Sequence, residues 1–338
     1  MEQVELSNNT KLIIKENVLA ITSPDELATV SSAFFNGGTK RVRHVLNVGV
    51  PKGYSDKVLH TNPLELITTS ARKIGVTKNY LAMVTAANVH NFSLVTQKTN
   101  EYTVAVAATA GCSHGESSGE EINIKENIGT INIIVFIDGA PLQSCMIAAL
   151  ITATEAKSAA LHDFDVRSRY SGDLATGSIT DSITVASTDK GTPIILGGPA
   201  SKFGKLVGYC TRHAVIEALL KQEPEWANRS VFDRLNERHL PVEKLAAEVS
   251  KIKGFEITTK GLSQVLKNNS FALASLLAAA KMDDDYKKNL LPTDFQSWNQ
   301  IASCMGSIQG CGKPQNHDSI ELPPFIKSTL IKILNDSL

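Results

Sequence analysis

Hydroxyl, carboxylate and ammonium groups crowd into six residues of this chain, Thr152-Ala-Thr-Glu-Ala-Lys157. On a helix the run falls within two turns and offers the residue types for a nucleophile, a general acid or base, and a cation that steadies developing negative charge. At about 100° per residue, Thr154 and Ser158 share one stripe while Glu155 and Lys157 stand near its opposite margins, so the two charges are not a ready-made ion pair. The residues alone favour a plainer reading: alanine-rich helices carry Thr and Ser that bond back to the preceding turn, and Glu and Lys that water solvates.

A second cluster, Thr176-Gly-Ser-Ile-Thr-Asp181, precedes a strand and would gather hydroxyls, backbone donors and a carboxylate at the strand's start. Asp181 there suits the orienting of a nucleophile or the binding of a metal, and equally a plain Asx-turn. Asn132 lies on an otherwise apolar strand face, where its amide needs partners, either a substrate amide or a neighbouring loop. Asn36-Gly37-Gly38 could present backbone N–H groups to an oxyanion, or simply close a tight loop. His90, His114 and His213 are scattered; a lone histidine is more often structural or exposed.

Other motifs fail on spacing. Gly198-Pro-Ala-Ser-Lys-Phe-Gly204 separates its glycines by one residue too many for a phosphate loop, and Leu206 stands where a magnesium-binding hydroxyl belongs. Gly115-Glu-Ser-Ser-Gly119 fits a nucleophile elbow in letters only, because Glu120 and Glu121 continue a polar loop. No metal cluster is read: His-Glu-x-x-His is missing, and Cys304 and Cys311 are isolated.

These candidates must be held by elements. Lys11–Lys15, Ala28–Ser32, Tyr102–Ala107 and Ser182–Ala186 read as strands between Gly and Asn turns. The strongest strand is Thr130–Ile137, with Ile131, Ile133, Val135 and Ile137 on one face and Thr130, Asn132, Ile134 and Phe136 on the other. Both faces are mainly apolar, which predicts a central strand covered on both sides. After Pro141 an alanine-rich helix runs to about His162, and the stripe Ile147, Leu150, Ile151, Thr154, Ser158, Leu161 is predicted to pack on a sheet. A further helix is predicted over Gly208–Lys221, and the chain beyond Pro224 reads as helical, with a turn-rich loop at Gly306 to Pro314. The fold class is therefore α/β, a layered sheet-and-helix domain over 1–225 followed by a helical C-terminal extension over 226–338.

With 338 residues, 42% of them hydrophobic, the chain can bury a sizeable core. Lys plus Arg equals Asp plus Glu at 34 each, so no net field draws it to nucleic acid or to an anionic membrane. No stretch reaches the roughly 20 apolar residues of a membrane span, and the start Met-Glu-Gln-Val-Glu lacks the pattern of a signal peptide. Five scattered cysteines without a Cys-x-x-Cys pair read as reduced thiols of a cytoplasmic protein.

Four segments, in order over residues 28 to 222, resemble the adenosylcobinamide amidohydrolase family. They are Ser31-Ser-Ala-Phe-Phe-Asn-Gly-Gly with Asn47 and Val50-Pro51; Val84-Thr-Ala-Ala with Thr109-Ala-Gly; Gly129-Thr-Ile-Asn-Ile-Ile, Ala149–Leu161 and Ala175–Ala186; and Gly204-Lys-Leu-Val-Gly with Ala214–Leu219. The resemblance implies hydrolysis of the secondary amide of adenosylcobinamide to adenosylcobyric acid and aminopropanol, in corrinoid salvage. It implies catalytic roles for Glu155, Lys157, Asp181 and Thr154, and substrate contacts from Asn36, Gly37, Gly38, Asn132, Thr176, Ser178 and Thr180. The partner implied is a small cobalt-containing corrinoid, as substrate rather than cofactor; self-association is left open. The chain departs from the family pattern at Cys112–Glu121 and at Ser178-Ile179, where Thr and Gly are usual, so no role is carried over from the first loop. A corrinoid-binding protein without hydrolysis, and an acyltransferase or peptidase with a Thr or Ser nucleophile, are the alternatives.

Overall fold

The computed structural model describes residues 2–7, 9–51, 63–113, 115–121, 129–291, 295–305 and 322–337. The chain divides into two compact units, residues 1–227 and 228–338. His114 and the loop expected at Gly306 to Pro314 lie outside the described residues.

The first unit is a sheet in two layers. Its strands are β1 (Glu2–Ser7), β2 (Thr10–Lys15), β3 (Val18–Ser31), β4 (Gly38–Gly49), β5 (Tyr80–Thr85), β6 (Ser93–Lys98), β7 (Thr103–Gly111), β8 (Thr130–Asp138) and β10 (Ser182–Ser187). A separate short pair joins β9 (Ala140–Pro141) to β11 (Pro193–Ile194). The main sheet runs β1-β2-β3-β10-β8-β7-β6, and β4 pairs with both β3 and β5. β3 makes the layers possible. Its residues Val18–Thr22 lie between β2 and β4, the register then breaks between Thr22 and Leu27, and Ala28–Ser31 lie between β4 and β10. Such an irregularity bends a strand and re-aims it.

Alternation along each strand then sorts the apolar residues into three cores. Ile131, Ile133, Val135 and Ile137 of β8 face helices α2 (Gln143–Asp163) and α3 (Lys202–Gln222). Ile134 and Phe136 face the other way, onto Leu19, Val45, Leu81 and Met83 of the second layer. Leu46 and Val48 on that layer's outer side meet Leu66 and Ile67 of α1 (Pro63–Lys73). The order is helix, strands, strands, helices, and β8 is central and covered on both faces as its sequence predicts.

Two expectations about the helices need correction. The predicted stripe of α2 is only partly its core face: Leu161 is buried and Leu150 packs half-buried against the core, but Ile147 is 47% and Ile151 52% exposed, whereas Cys145, Met146, Ala149, Thr152, Ala153, Ala156, Lys157 and Ala160 are buried. Small residues let the helix approach the sheet and α3 closely, and that proximity outweighs the larger apolar area of the isoleucines. Helix α3 begins at Lys202, not Gly208, because Ser201 caps it by accepting the Gly204 N–H at 2.9 Å. Gly204 has no room for a side chain, since a Cβ would lie 1.9 Å from the Gly198 carbonyl oxygen. The glycine-rich segment is thus a packed helix start.

The elements of the second unit are helices among its described residues: α4 (Val231–Asn236), α5 (Val242–Lys253), α6 (Thr259–Lys267), α7 (Ser270–Lys287), α8 (Phe295–Met305) and α9 (Pro324–Ser337). Ser230 and Asp233 form a capping box on α4, and Thr258 and Asn269 cap α6 and α7. The buried Asp283 of α7 accepts the N–H groups of Phe325 and Ile326 and so caps α9. Leu245, Leu276, Phe325 and Leu330 are at the centre of its core. Cys304 is disulfide-bonded, against the expectation of five reduced thiols; Cys112, Cys145 and Cys210 are free and buried. Among the described residues no helix is long and apolar enough to cross a membrane.

Candidate active site

The C-terminal half of α2 and the turn before β10 bring three of the sequence-selected residues together. Lys157 points from the helix onto Asp181, forming an ion pair whose side chains are 9% and 11% exposed. Asp181 Oδ1 accepts the Ser178 hydroxyl at 2.5 Å and the Ile131 N–H at 2.9 Å; Oδ2 accepts Lys157 Nζ and the Ser178 N–H at 3.1 Å. Four donors therefore converge on one carboxylate. A desolvated ion pair is tolerated where remaining lone pairs and protons are satisfied in this way. Gly177 roofs the pair: a Cβ there would lie 2.4 Å from Asp181 Oδ2 and 2.7 Å from Lys157 Nζ.

The surrounding loops are fixed by further hydrogen bonds. Thr176 Oγ1 accepts the Ser118 N–H at 3.0 Å, and Ser158 Oγ donates to the Thr176 carbonyl at 2.9 Å. Glu116 and Gly177 exchange backbone bonds, which seats the divergent Cys112–Glu121 loop against the turn. Glu120 adds a second clamp, accepting the Ser168 and Ser171 hydroxyls at 2.8 and 3.1 Å. Burial, with Glu120 nearby, raises the Glu116 carboxyl above its ordinary value; Arg169 opposes the rise. Burial also pushes the Cys112 thiol strongly up, helped by the anions Asp181 and Glu223 and opposed by Lys157. Cys112 is thus a neutral thiol beside the cluster, unsuited to serve as a nucleophile.

Glu223, just past the end of α3, was not legible as a site-forming residue. Its carboxylate accepts the N–H groups of Cys112 and Ser113 and, at 2.7 Å, the Trp226 indole. It holds the start of the loop in place from more than a hundred residues away.

The other expected residues fall elsewhere. Thr154 is exposed and donates back to the Leu150 carbonyl at 2.9 Å, the plain helical reading. Glu155, two residues and about 200° from Lys157, lines an outer groove of about 580 Å³ between α2 and α3, with Tyr209, Arg212 and His213. Nearby, Arg212 forms a bidentate pair with Asp163 and lowers its pKa, chiefly through that hydrogen bond. Asn132 is fully engaged: its amide donates to Asn47 Oδ1 at 2.8 Å and the Val84 carbonyl at 2.9 Å, and accepts the Ser182 N–H at 3.1 Å. With Asn47 donating to Thr109 Oγ1 at 2.9 Å, it stitches the two layers together rather than offering donors to a ligand. Thr180 bonds the Thr130 hydroxyl at 2.8 Å and braces the turn.

Asn36 closes its own loop, donating to the Tyr80 carbonyl at 3.0 Å and accepting Lys40. Gly37 is required there because a Cβ would lie 2.2 Å from the Ala33 carbonyl oxygen, and Gly38 sits at φ +85°. Both observations fit a structural loop. Of the histidines, His90 follows an Asn88 cap and His213 bonds the Tyr209 carbonyl.

The chemistry available is that of a hydroxyl on a buried carboxylate whose other oxygen holds an ammonium. The sequence profile of the adenosylcobinamide amidohydrolases matches residues 3–226. The chain is 30% identical to an adenosylcobinamide amidohydrolase of Methanosarcina mazei, over 57% of this chain and 90% of that one. It is 31% identical to an uncharacterized protein of Methanocaldococcus jannaschii, over 55% of this chain and 80% of that one. Among solved structures, a β-aminopeptidase of Burkholderia sp. aligns over 69% of this chain and 89% of that one, at 9% identity and a TM-score of 0.35, too slight a likeness to bear on activity.

Proposed function

The chain belongs to the adenosylcobinamide amidohydrolase family, and we propose that it hydrolyses the aminopropanol amide of adenosylcobinamide with Ser178 as nucleophile, Asp181 as proton acceptor and Lys157 as the fixed cation. The observation that carries this reading is the convergence of the Ser178 hydroxyl and the Lys157 ammonium on one buried carboxylate.

An amide resists water, so the reaction needs an activated oxygen, a counter-charge for the oxyanion and a proton for the leaving amine. As Ser178 Oγ bonds to the amide carbon, its proton passes to Asp181 Oδ1 along the existing hydrogen bond, and the carbonyl π electrons move onto oxygen. Lys157 opposes that negative charge. Collapse breaks the C–N bond, and the amine leaves with the proton held by Asp181. Water then adds to the Ser178 ester, losing a proton to Asp181, and the ester C–O bond breaks as Asp181 returns that proton to Ser178 Oγ, which releases the carboxylic acid and restores the starting site. The cobalt belongs to the substrate and takes no part in this scheme.

Incubation of the protein with adenosylcobinamide should yield adenosylcobyric acid and aminopropanol by chromatography. Ser178→Ala should lower turnover by a factor on the order of 10³ or more. Wild-type turnover in that variant removes Ser178 as nucleophile. Binding without product in the wild type indicates a corrinoid carrier.

A further inference from the structure

The proposed reaction leaves negative charge on the amide oxygen beside Ser178, where a fixed hydrogen-bond donor stabilises it most. Around the nucleophile, nearly every N–H group is already taken. Thr176 and Gly177 give theirs to the Glu116 carbonyl at 2.9 and 3.2 Å, and Ser178 gives its own to Asp181 Oδ2 at 3.1 Å. Ile131 donates to Asp181 Oδ1, Ser182 to Asn132 Oδ1 and Ile183 to Ser32 Oγ. Ile179 and Thr180, at the centre of the turn from Ser178 to Asp181, differ: among the described residues nothing accepts their N–H groups.

Unspent N–H groups are ordinary in an exposed turn, where water takes them. The place of this one is not. Ile179 directly follows the nucleophile, and covalent geometry alone keeps its nitrogen within about 5 Å of Ser178 Oγ at every side-chain rotation. An amide carbon that bonds to that Oγ therefore carries its oxygen into the neighbourhood of the Ile179 N–H. The donor is also held on both flanks. On one side Asp181 takes both the hydroxyl and the N–H of Ser178. On the other, Thr180 Oγ1 bonds the Thr130 hydroxyl at 2.8 Å and donates to the Gly129 carbonyl at 3.2 Å. The peptide between Ser178 and Ile179 is thus fixed before a substrate arrives, which is the condition for a donor to act on a transition state without reorganising.

We propose that the main-chain N–H of Ile179 donates to the oxyanion, so that this residue takes part in catalysis through its backbone. The inference rests on Ser178 as nucleophile, and the test separates the two. Ile179→Pro deletes the N–H, breaks no hydrogen bond of the fold and suits the second position of a turn. Because proline also restricts the residue before it, the donor is removed a second way, by placing the α-hydroxy acid of isoleucine at 179, which puts an ester oxygen where the N–H was. Ile179→Ala keeps the donor and removes most of the side chain. On adenosylcobinamide both donorless proteins should lose a factor of about 10² to 10³ in kcat, with KM within about threefold. Ile179→Ala should stay within about threefold of wild type in kcat. Labelling by a fluorophosphonate needs no corrinoid: Ser178 Oγ bonds phosphorus, fluoride leaves, and the hydroxyl proton passes to Asp181. Followed by mass spectrometry, it should slow in the same proportion. Wild-type rates in both donorless proteins overturn the donor and leave the reaction standing. An equal loss in Ile179→Ala also overturns it, because the position would then serve shape. Slowed turnover in the donorless proteins beside full activity of Ser178→Ala keeps the donor and removes Ser178. A wild-type protein that neither cleaves the amide nor takes the label removes both.

Discussion

The two sides of helix α2 carry the same kinds of charge and use them differently. On the side facing the sheet, Lys157 and Asp181 are about nine-tenths buried and share their carboxylate with Ser178. On the side facing solvent, Glu155 lines an open groove, and Arg212 and Asp163 make a bidentate pair with side chains 45% and 38% exposed. Water screens the outer pair and leaves it worth about 1 kcal/mol or less. The inner pair has given up water, so each partner depends on the other and on the donors around them. Surroundings, and not residue type, distinguish a group able to do chemistry from one that decorates a helix.

That contrast can be broken in order of severity. Asp181→Asn should have the largest effect, lowering turnover on the order of 10³-fold, since it removes both the proton acceptor and the counter-charge of Lys157 while keeping the side chain's shape. A circular-dichroism spectrum unchanged from wild type would confirm that folding is preserved. Gly177→Ala should follow with a loss of tenfold or more, because the added methyl falls within 2.4 Å of Asp181 Oδ2 and must push the ion pair apart; a crystal structure of the variant should show Lys157 and Asp181 separated. Glu155→Gln should have the smallest effect, with turnover within about twofold of wild type. A large loss there would place the chemistry on the outer side of the helix and undo the comparison.

Much of the architecture could be read from the sequence. The alternation in Thr130–Ile137 placed β8 at the centre of the sheet, and the change of texture after Pro224 marked the onset of helices. The Thr176–Asp181 motif and Lys157 were also visible as chemistry. Their union was not, because the 24 positions separating Lys157 from Asp181 are bridged only in three dimensions. The face of α2 was misread because side-chain size was weighed against close approach: alanines went inward and isoleucines outward. Asn132 looked unsatisfied on its strand because its partners Asn47 and Val84 belong to another layer. Glu223 left no local signal at all, since its role depends on backbone N–H groups that every sequence has.

The bend in β3 bears on how the protein is made. One strand pairs at its start within one layer and at its end with β10, and the Ser31 hydroxyl meets that of Thr184 across 153 positions of sequence. Contacts of such separation are slow to form even when the closure entropy is modest. During synthesis, the exit of β8 leaves the second half of β3 with an unpaired edge until β10 emerges some fifty residues later. Because β10 carries the turn that holds Ser178 and Asp181, the event that closes the sheet also completes the site. A chain that ends between Lys157 and this turn therefore has both an open β3 edge and a Lys157 without its carboxylate partner, and α3 has still to pack on the sheet after β10 emerges.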